Sequence, residues 1–477
     1  MFQLYDRTRR RITLALFFVL CVTPTLAVSG WCFSRRLPAH VRGEARFLGW
    51  QLGMKVALED VHYPRPGLVR YEGLVLSDPE TGNRVLSCRV VEARWTTSDA
   101  LGTPPSEKAA SEQAGGTKDR QPRQSRPLLV LTALEPAEVE AAALGEVEGL
   151  VERVLARRAG WPEANLQLKA HEVRVRSEAG PLVLVELDGR LVTGVTKESP
   201  GRPGLAEAVA ELDFRPSDAG PGEKAAIRVT RVRRLSPAAG LDPAVEIVFD
   251  TGSAPLPCSL LAGSVEGLAL LGPRSRFLGS VQAVQRPEGW SYRVQGRFSA
   301  VDLERVFADR FPPHRLSGLA QVTVKHAALA GGRLEEFRGQ VHARDGSVTR
   351  SLIESAARSF GLTSGLRPSD PAEFSYDQLA AELALDARGL QVWGLADDRA
   401  AIVRDQEGSI LSGTRYQPVL VPTIVRMLVP DADPAAGASS AGALLARRLP
   451  IPGALPSAES SPIIPVASRP GGEDARR

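Results

Sequence analysis

The sequence is poor in the residue patterns on which catalysis and metal binding rest. Its six histidines (40, 62, 171, 314, 326 and 342) are scattered through different segments, with no HExxH, no CxxC pair and no His/Asp cluster at ligand spacing. Ser264 sits in AGSVEG, which lacks the glycine two positions earlier that a nucleophile elbow requires; no Ser-x-x-Lys or GxxxxGK[ST] occurs. Asp397-Asp398 and Asp431-x-Asp433 read as solvated carboxylates in a turn and a polar tail. The expectation is a chain with no catalytic residue, no metal and no cofactor, and so not an enzyme. Aromatic residues make up only 5% and cysteines number four. Cys21 and Cys32 belong to an apolar segment, which leaves Cys88 and Cys258 as either one disulfide or two buried thiols. A basic surface is missing as well: the formal charge of +4 is concentrated before residue 37, where Arg7, Arg9, Arg10, Arg11, Arg35 and Arg36 face only Asp6, and the remainder is close to neutral. That excludes the electrostatic footprint of a nucleic-acid binder.

Long apolar runs are absent with one exception. From Ile12 to Val28 the sequence ITLALFFVLCVTPTLAV carries no charge, and Trp31 and Phe33 lengthen it toward the ~20 residues that cross a bilayer. Ile12, Leu14, Leu16, Phe17, Phe18, Leu20, Val22, Leu26 and Val28 are the expected lipid-facing anchor. The arginines before the run keep their own side cytoplasmic, which places everything after about residue 34 outside the inner membrane, in the periplasm. A cleaved signal peptide has the same two regions, with Ala27-Val28-Ser29 before Gly30 as its small-residue site. The continuation into Trp31 and Phe33, closed by Arg35-Arg36, favours the uncleaved single-pass anchor. Cys32 follows Trp31 rather than a small residue, against lipidation, and Thr8-Arg9-Arg10 is a basic flank more simply than a twin-arginine signal.

What the chain has in abundance is turn formers, 44 Gly and 36 Pro, which suit many short strands better than long packed helices. Residues 1–34 form the basic flank and anchor. Residues 35–95 begin with a short amphipathic helix over 38–53, with Val41, Ala45, Leu48 and Leu52 on one stripe and Gly53 as its C-cap. The period then changes to two in MKVALEDV, GLVRYEGLVLSDPETGNRVL and SCRVVEARW, read as three or four antiparallel strands. Residues 96–127 offer little to bury and are expected to be a disordered loop. Residues 128–430 are the main β region. It opens with LLVLTAL, followed by an expected helix over 136–158 with Val139, Ala143, Val147, Leu150 and Val154 on one face, and then a long succession of alternating segments. Ser351-x-x-Glu354 reads as a capping box opening a short helix that Gly361 stops, and 418–430 ends the region with a helical turn. Residues 431–477 form an Ala/Pro/Ser-rich tail, expected to be largely disordered.

The alternation is clearest between 290 and 385. Trp290, Tyr292, Val294, Gly296 and Phe298 share one face of a strand, and Ser291, Arg293, Gln295 and Arg297 share the other. The same division recurs at Ala320, Val322 and Val324, at Phe337, Gly339, Val341 and Ala343, and at Leu379, Ala381, Leu383 and Leu385. Trp290, Tyr292 and Phe298 could stack on a base or sugar, but an alternating aromatic stripe is more often the buried face of a sheet.

The N-terminal run from Arg7 through VALEDVHYPRPGLVRYEGLVLSDPETGNRVLSCRVVEARW resembles the start of AsmA-like proteins, relatives of TamB in the repeating β-groove group, and a second block WSYRVQGRFSAVDLERVF, RLSGLAQVTV, RLEEFRGQVHARDGSV and FSYDQLAAELALDARGLQVWG resembles their C-terminal half. The resemblance implies a mainly β fold: an elongated, curved antiparallel sheet with a few short helices and one N-terminal transmembrane helix. About twenty strands at ~4.8 Å each would make a trough roughly 100 Å long. It also implies phospholipid transport or a part in outer-membrane biogenesis, with acyl chains on a face formed by Trp290, Tyr292, Val294, Phe298, Val322, Val324, Phe337, Val341, Leu383 and Leu385. The alternative is a structural or regulatory envelope protein whose apolar face is sealed in a closed β core.

Overall fold

The computed structural model describes residues 6–35, 37–97, 127–140, 165–177, 180–196, 205–220, 222–234, 244–260, 268–286, 289–307, 311–397, 400–428 and 448–450. It begins with the apolar helix, in three pieces: α1 (Asp6–Phe17), a π-helical turn (Phe18–Val22) and α2 (Thr23–Ser34). Pro24 explains the irregular turn, because it has no N–H to donate and its ring crowds the preceding carbonyls. Two hydroxyls bond back along this stretch, Thr23 Oγ1 donating to the Phe18 carbonyl (2.9 Å), which also accepts from the Thr23 N–H, and Thr25 Oγ1 donating to that of Cys21 (2.6 Å). Arg10–Trp31 is long and apolar enough to cross a membrane, and none of it is buried against the rest of the protein. After it, α3 (Pro38–Leu52) ends at Gly53, whose left-handed conformation (φ 68°) is the expected C-cap.

The remainder is mainly β, with 22 strands in one sheet among the described residues. At one edge β1 (Lys55–Ala57) and β2 (Asp60–Arg65) lie end to end along β3 (Leu68–Ser77), which pairs with β4 (Arg84–Thr97). β5 (Pro127–Ala133) and β6 (Ala137–Glu140) share the other side of β4. The sheet continues through β7 (Asn165–Ser177), β8 (Gly180–Thr196), β9 (Leu205–Pro216), β10 (Ala225–Arg234) and β11 (Ala244–Asp250) with β12 (Leu256–Pro257). Then come β13 (Arg276–Arg286), β14 (Gly289–Asp302), the short helix α4 (Leu303–Phe307), β15 (Leu319–Ala330), β16 (Arg333–Thr349) and β18 (Glu373–Asp386). The far edge is built from β17 (Thr363–Ser364), β19 (Gly389–Gly394), β20 (Ala401–Arg404), β21 (Ser409–Ser412) and β22 (Thr414–Val419). Among the described residues no strand pair joins the first edge to the last, so the sheet is open rather than a hydrogen-bonded barrel. Because several short strands share one position, it is shorter than a stack of twenty separate strands.

Three expectations need correction. The sheet is not wholly antiparallel: β5 and β6 both run parallel to β7. The helix expected over 136–158 does not begin where its pattern does, because Ala137–Glu140 is strand, with Ala137 and Val139 buried and Glu138 and Glu140 turned away; 141–158 lies outside the described residues. AEVE satisfies a period of two as well as a helical one, and pairing on both sides, with β4 and β7, decides it. The capping box is not formed either. The helix α5 (Arg350–Phe360) has Thr349 rather than Ser351 at its N-cap, Glu354 pairs with Arg350 (2.7 Å), and Ser351 Oγ instead meets His314 Nδ1 (3.0 Å).

The expected loop lies outside the described residues except at its ends, where Thr97 and Pro127 pair in register. Of the tail only 448–450 is described, and Leu449 packs against the C-terminal core rather than trailing free. Cys88 and Cys258 are separate, buried free thiols, and burial pushes both upward from the ordinary thiol range.

Candidate functional site: the apolar face of the sheet

In an antiparallel pair, residues directly opposite each other lie on the same face. Phe298 is opposite Val322, Val322 opposite Val341 and Val341 opposite Ala381. A second row runs Val294, Ala327, Phe337, Leu385, Leu390, and a third runs Gly296, Val324, Gly339, Leu383, Val392. Trp290 and Tyr292 lie on that face of β14, opposite Gln285 and Ala283, with their rings stacked at 6.3 Å. All ten groove residues named from the sequence are therefore on one surface. Only Val324 and Leu385 are fully buried; the other eight are partly buried.

Alternation alone would not keep this face continuous, since each bulge shifts a strand by one residue. Bulges at two non-glycine residues with positive φ, Glu186 and Ala300, accompany changes of alternation in β8 and β14. The crossing of β13 and β14 is closer still. Gly279 faces Gly296, and a Cβ on Gly296 would stand 2.4 Å from the Leu278 carbonyl oxygen. That bare patch admits Phe277, whose ring lies 4.7 Å from Phe298.

The opposite face is polar and charge-paired. Arg70 and Glu92 are directly opposite and bonded at 2.7 Å, as are Arg228 and Glu211 at 3.5 Å. Glu382 accepts from Lys325 (2.7 Å) and Gln340 (3.2 Å), and the Lys325 bond holds its carboxyl below the usual range.

Sequence reasoning placed the face only on β14 to β18, whereas the structure extends it through the N-terminal half. Tyr71, Val91, Leu131, Val173, Leu184, Phe214, Val229 and Phe249 join one buried cluster with Phe277, and a second gathers Val301, Ala320, Ala343, Leu385, Val392 and Ile424. Phe298 and Leu271 pack against both. Strings such as PLVLVEL and AVEIVFD were legible as strands, but not which residue faced inward. A strap also escaped notice. The 3₁₀ turn Cys258–Leu260 comes within 8 Å, Cα to Cα, of β7, although β8, β9 and β10 lie between them in the sheet. The sheet is thus curled here, and Leu260 belongs to the buried cluster of its inner face.

Helices stand at both ends. At the first, Leu48 and Leu52 of α3 are buried in the N-terminal cluster. Glu44 accepts from the hydroxyls of Tyr63 (3.1 Å) and Tyr71 (3.2 Å), and His40 Nε2 lies 2.6 Å from Tyr63 Oη. Burial first, and the Glu44 carboxylate second, push Tyr63 up to about 12 and Tyr71 further in the same direction. At the other end α5 packs with α6 (Val421–Leu428). His314, only 1% exposed, joins them: Nε2 lies 2.7 Å from the Met427 carbonyl and so donates to it, and Nδ1 lies 3.0 Å from Ser351 Oγ.

Asp397 serves a turn, its Oδ1 accepting from the Ala401 N–H (2.9 Å); Asp398, Asp431, Asp433 and Ser264 lie outside the described residues. Among the described residues no three His, Cys, Asp or Glu side chains are placed to share a metal ion. The anchor residues Ile12, Leu14, Leu16, Phe17, Phe18, Leu20, Leu26 and Val28 are exposed on α1, α2 and the π turn, while Val22 is half-buried. No family model, curated protein or solved structure matches this chain.

Proposed function

We propose that this is a non-enzymatic, AsmA-like protein held in the inner membrane by Arg10–Trp31, whose periplasmic sheet carries phospholipid acyl chains as part of lipid transport or outer-membrane biogenesis. The observation that supports this reading is the one-sided apolar surface running across successive strands of an open sheet. Eight of its ten groove residues are only partly buried rather than fully sealed. A surface of that kind in water needs a partner, and larger exposed apolar patches mark binding sites. The residues hold acyl chains by dispersion and exclusion of water, without hydrogen bonds to read lipid identity.

The strap supports a second reading, a structural envelope protein with a closed core, because Cys258–Leu260 already fills part of the inner face. Neighbouring residues separate the two. Val322 is on the apolar face and Gln321 on the polar one, exposed. In a lipid groove Val322→Asp leaves a folded protein that co-purifies with less lipid, the charge costing about 2–4 kcal/mol where acyl chains should lie, and Gln321→Asp changes nothing. Circular dichroism and lipid extraction on the same preparations read the outcome. An unfolded Val322→Asp protein, with no lipid in the unsubstituted one, supports the closed core instead.

A further inference from the structure

The outward side of α3 is turned away from the buried N-terminal cluster that Leu48 and Leu52 join. Arg42, Arg46 and Trp50 recur every four residues and are exposed, on the side of the helix away from buried Leu48. With Ala45, Gly49, Met54, Lys55 and Val56 they line a cavity of about 420 Å³. Its floor is apolar and its rim carries three cations; among the described residues no carboxylate pairs with Arg42, Arg46 or Lys55. Three exposed rings stand beside it. Phe47 lies 6.3 Å from Trp50 and 6.4 Å from Trp95, and Trp95 is the residue of β4 opposite Leu129, at the end of the apolar face.

The height of this surface is fixed by a second contact. The Arg35 guanidinium is sandwiched between Trp31, at the end of the membrane-spanning segment, and Tyr63 of β2, 3.9 Å from each ring centroid. Such a cation between two rings holds the base of the sheet against the end of the anchor. Pro38 begins α3 three residues beyond Arg35, too short a distance to carry the helix far from the bilayer.

We infer that the Arg42–Arg46–Trp50 stripe, with Lys55 and the Phe47–Trp95 pair, is a seat for the phosphate headgroup of an anionic phospholipid in the adjoining leaflet, at the membrane-proximal mouth of the apolar face. The guanidiniums supply charge-assisted hydrogen bonds to phosphate oxygens, and Trp and Phe rings settle at headgroup depth. The inference rests on the membrane-anchored reading, so its test measures the two separately.

The full chain is reconstituted into phosphatidylcholine vesicles with and without 30 mol% phosphatidylglycerol, using a lipid that carries a quencher near its headgroup. Flotation with the vesicles reports the anchor; the part of the tryptophan quenching abolished by Trp50→Phe reports the seat. Expected is flotation in both mixtures, with Trp50-dependent quenching at least twofold larger when phosphatidylglycerol is present. It falls in 0.5 M salt, halves or more in Arg42→Glu/Arg46→Glu, and is intermediate in Arg42→Gln/Arg46→Gln, all variants keeping the unsubstituted circular dichroism spectrum and still floating. Quenching indifferent to phosphatidylglycerol, or unchanged by charge reversal in a floating protein, overturns the seat and spares the anchor. A protein that does not float overturns both, and a variant that loses its spectrum shows the stripe to be structural and overturns the seat as well.

Discussion

Single residues without side chains set the tightest tolerance in the sheet. At Gly296 the backbone has φ +148° and the neighbouring strand leaves no room for a methyl group, so Gly296→Ala should cost more than about 2 kcal/mol. Gly331→Ala is the control: φ there is +55°, yet the space around it is empty, and only the ~1–2 kcal/mol of left-handed strain applies. Urea melts of the two variants compare the costs directly. The Tyr63–Glu44–Tyr71 group makes a different prediction. Both phenols are held above their unfolded value near 10, so their contribution is complete below that pH and is lost as pH rises from 10 toward 12 and beyond. Tyr63→Phe should flatten this alkaline loss of melting temperature while lowering the value at neutral pH, where its bond to Glu44 is missing. The faces of Trp290 and Val322 were legible because the sequence alternates cleanly around each, over 290–298 for the first and 320–324 for the second. Gly296 itself was read only as one more small residue on that face, since the need for it comes from Gly279 across the strand pair.

At the scale of elements, one buried imidazole adds a polar tie between the C-terminal helices and the segment leading into β15, beside the apolar packing of Ile353, Phe360, Val421 and Ile424. His314→Ala removes the donor to Met427 and the partner of Ser351, leaving a buried carbonyl without its bond, at about 1–3 kcal/mol. Amide exchange within Val421–Leu428 should accelerate well before exchange in β15 and β16 does; equal acceleration everywhere would mean that α6 does not open separately. Local pattern announced α3, α5 and their glycine stops, because capping is decided within a few residues. It failed at Ala137–Glu140, whose four residues fit helix and strand alike and are decided by β4 and β7. The parallel joint between β5, β6 and β7 was equally hidden: periodicity reports which way side chains point and nothing about strand direction. His314 looked like one of six scattered histidines, since its partners are 37 and 113 residues away in sequence.

Across the whole molecule the two buried clusters divide the sheet between β13 and β15, and Phe298 with Leu271 touches both. Each half has its own apolar face and its own terminal helix or helices, and neither needs the other to satisfy its strands except along this seam. Cooperative unfolding of so long a sheet therefore depends on how strongly the seam transmits disorder, as in repeat proteins whose neighbours interact only in pairs. Phe298→Ala removes the shared ring and the stacking on Phe277, a loss of about 3–5 kcal/mol if the site does not collapse. Calorimetry of that variant should resolve two melting events where the unsubstituted chain gives one, with the earlier event traceable by exchange to one side of β14. The aromatic ring that reads from the sequence as a lipid contact would then also be the coupling constant of the fold, deciding whether a long sheet melts as one body or as two.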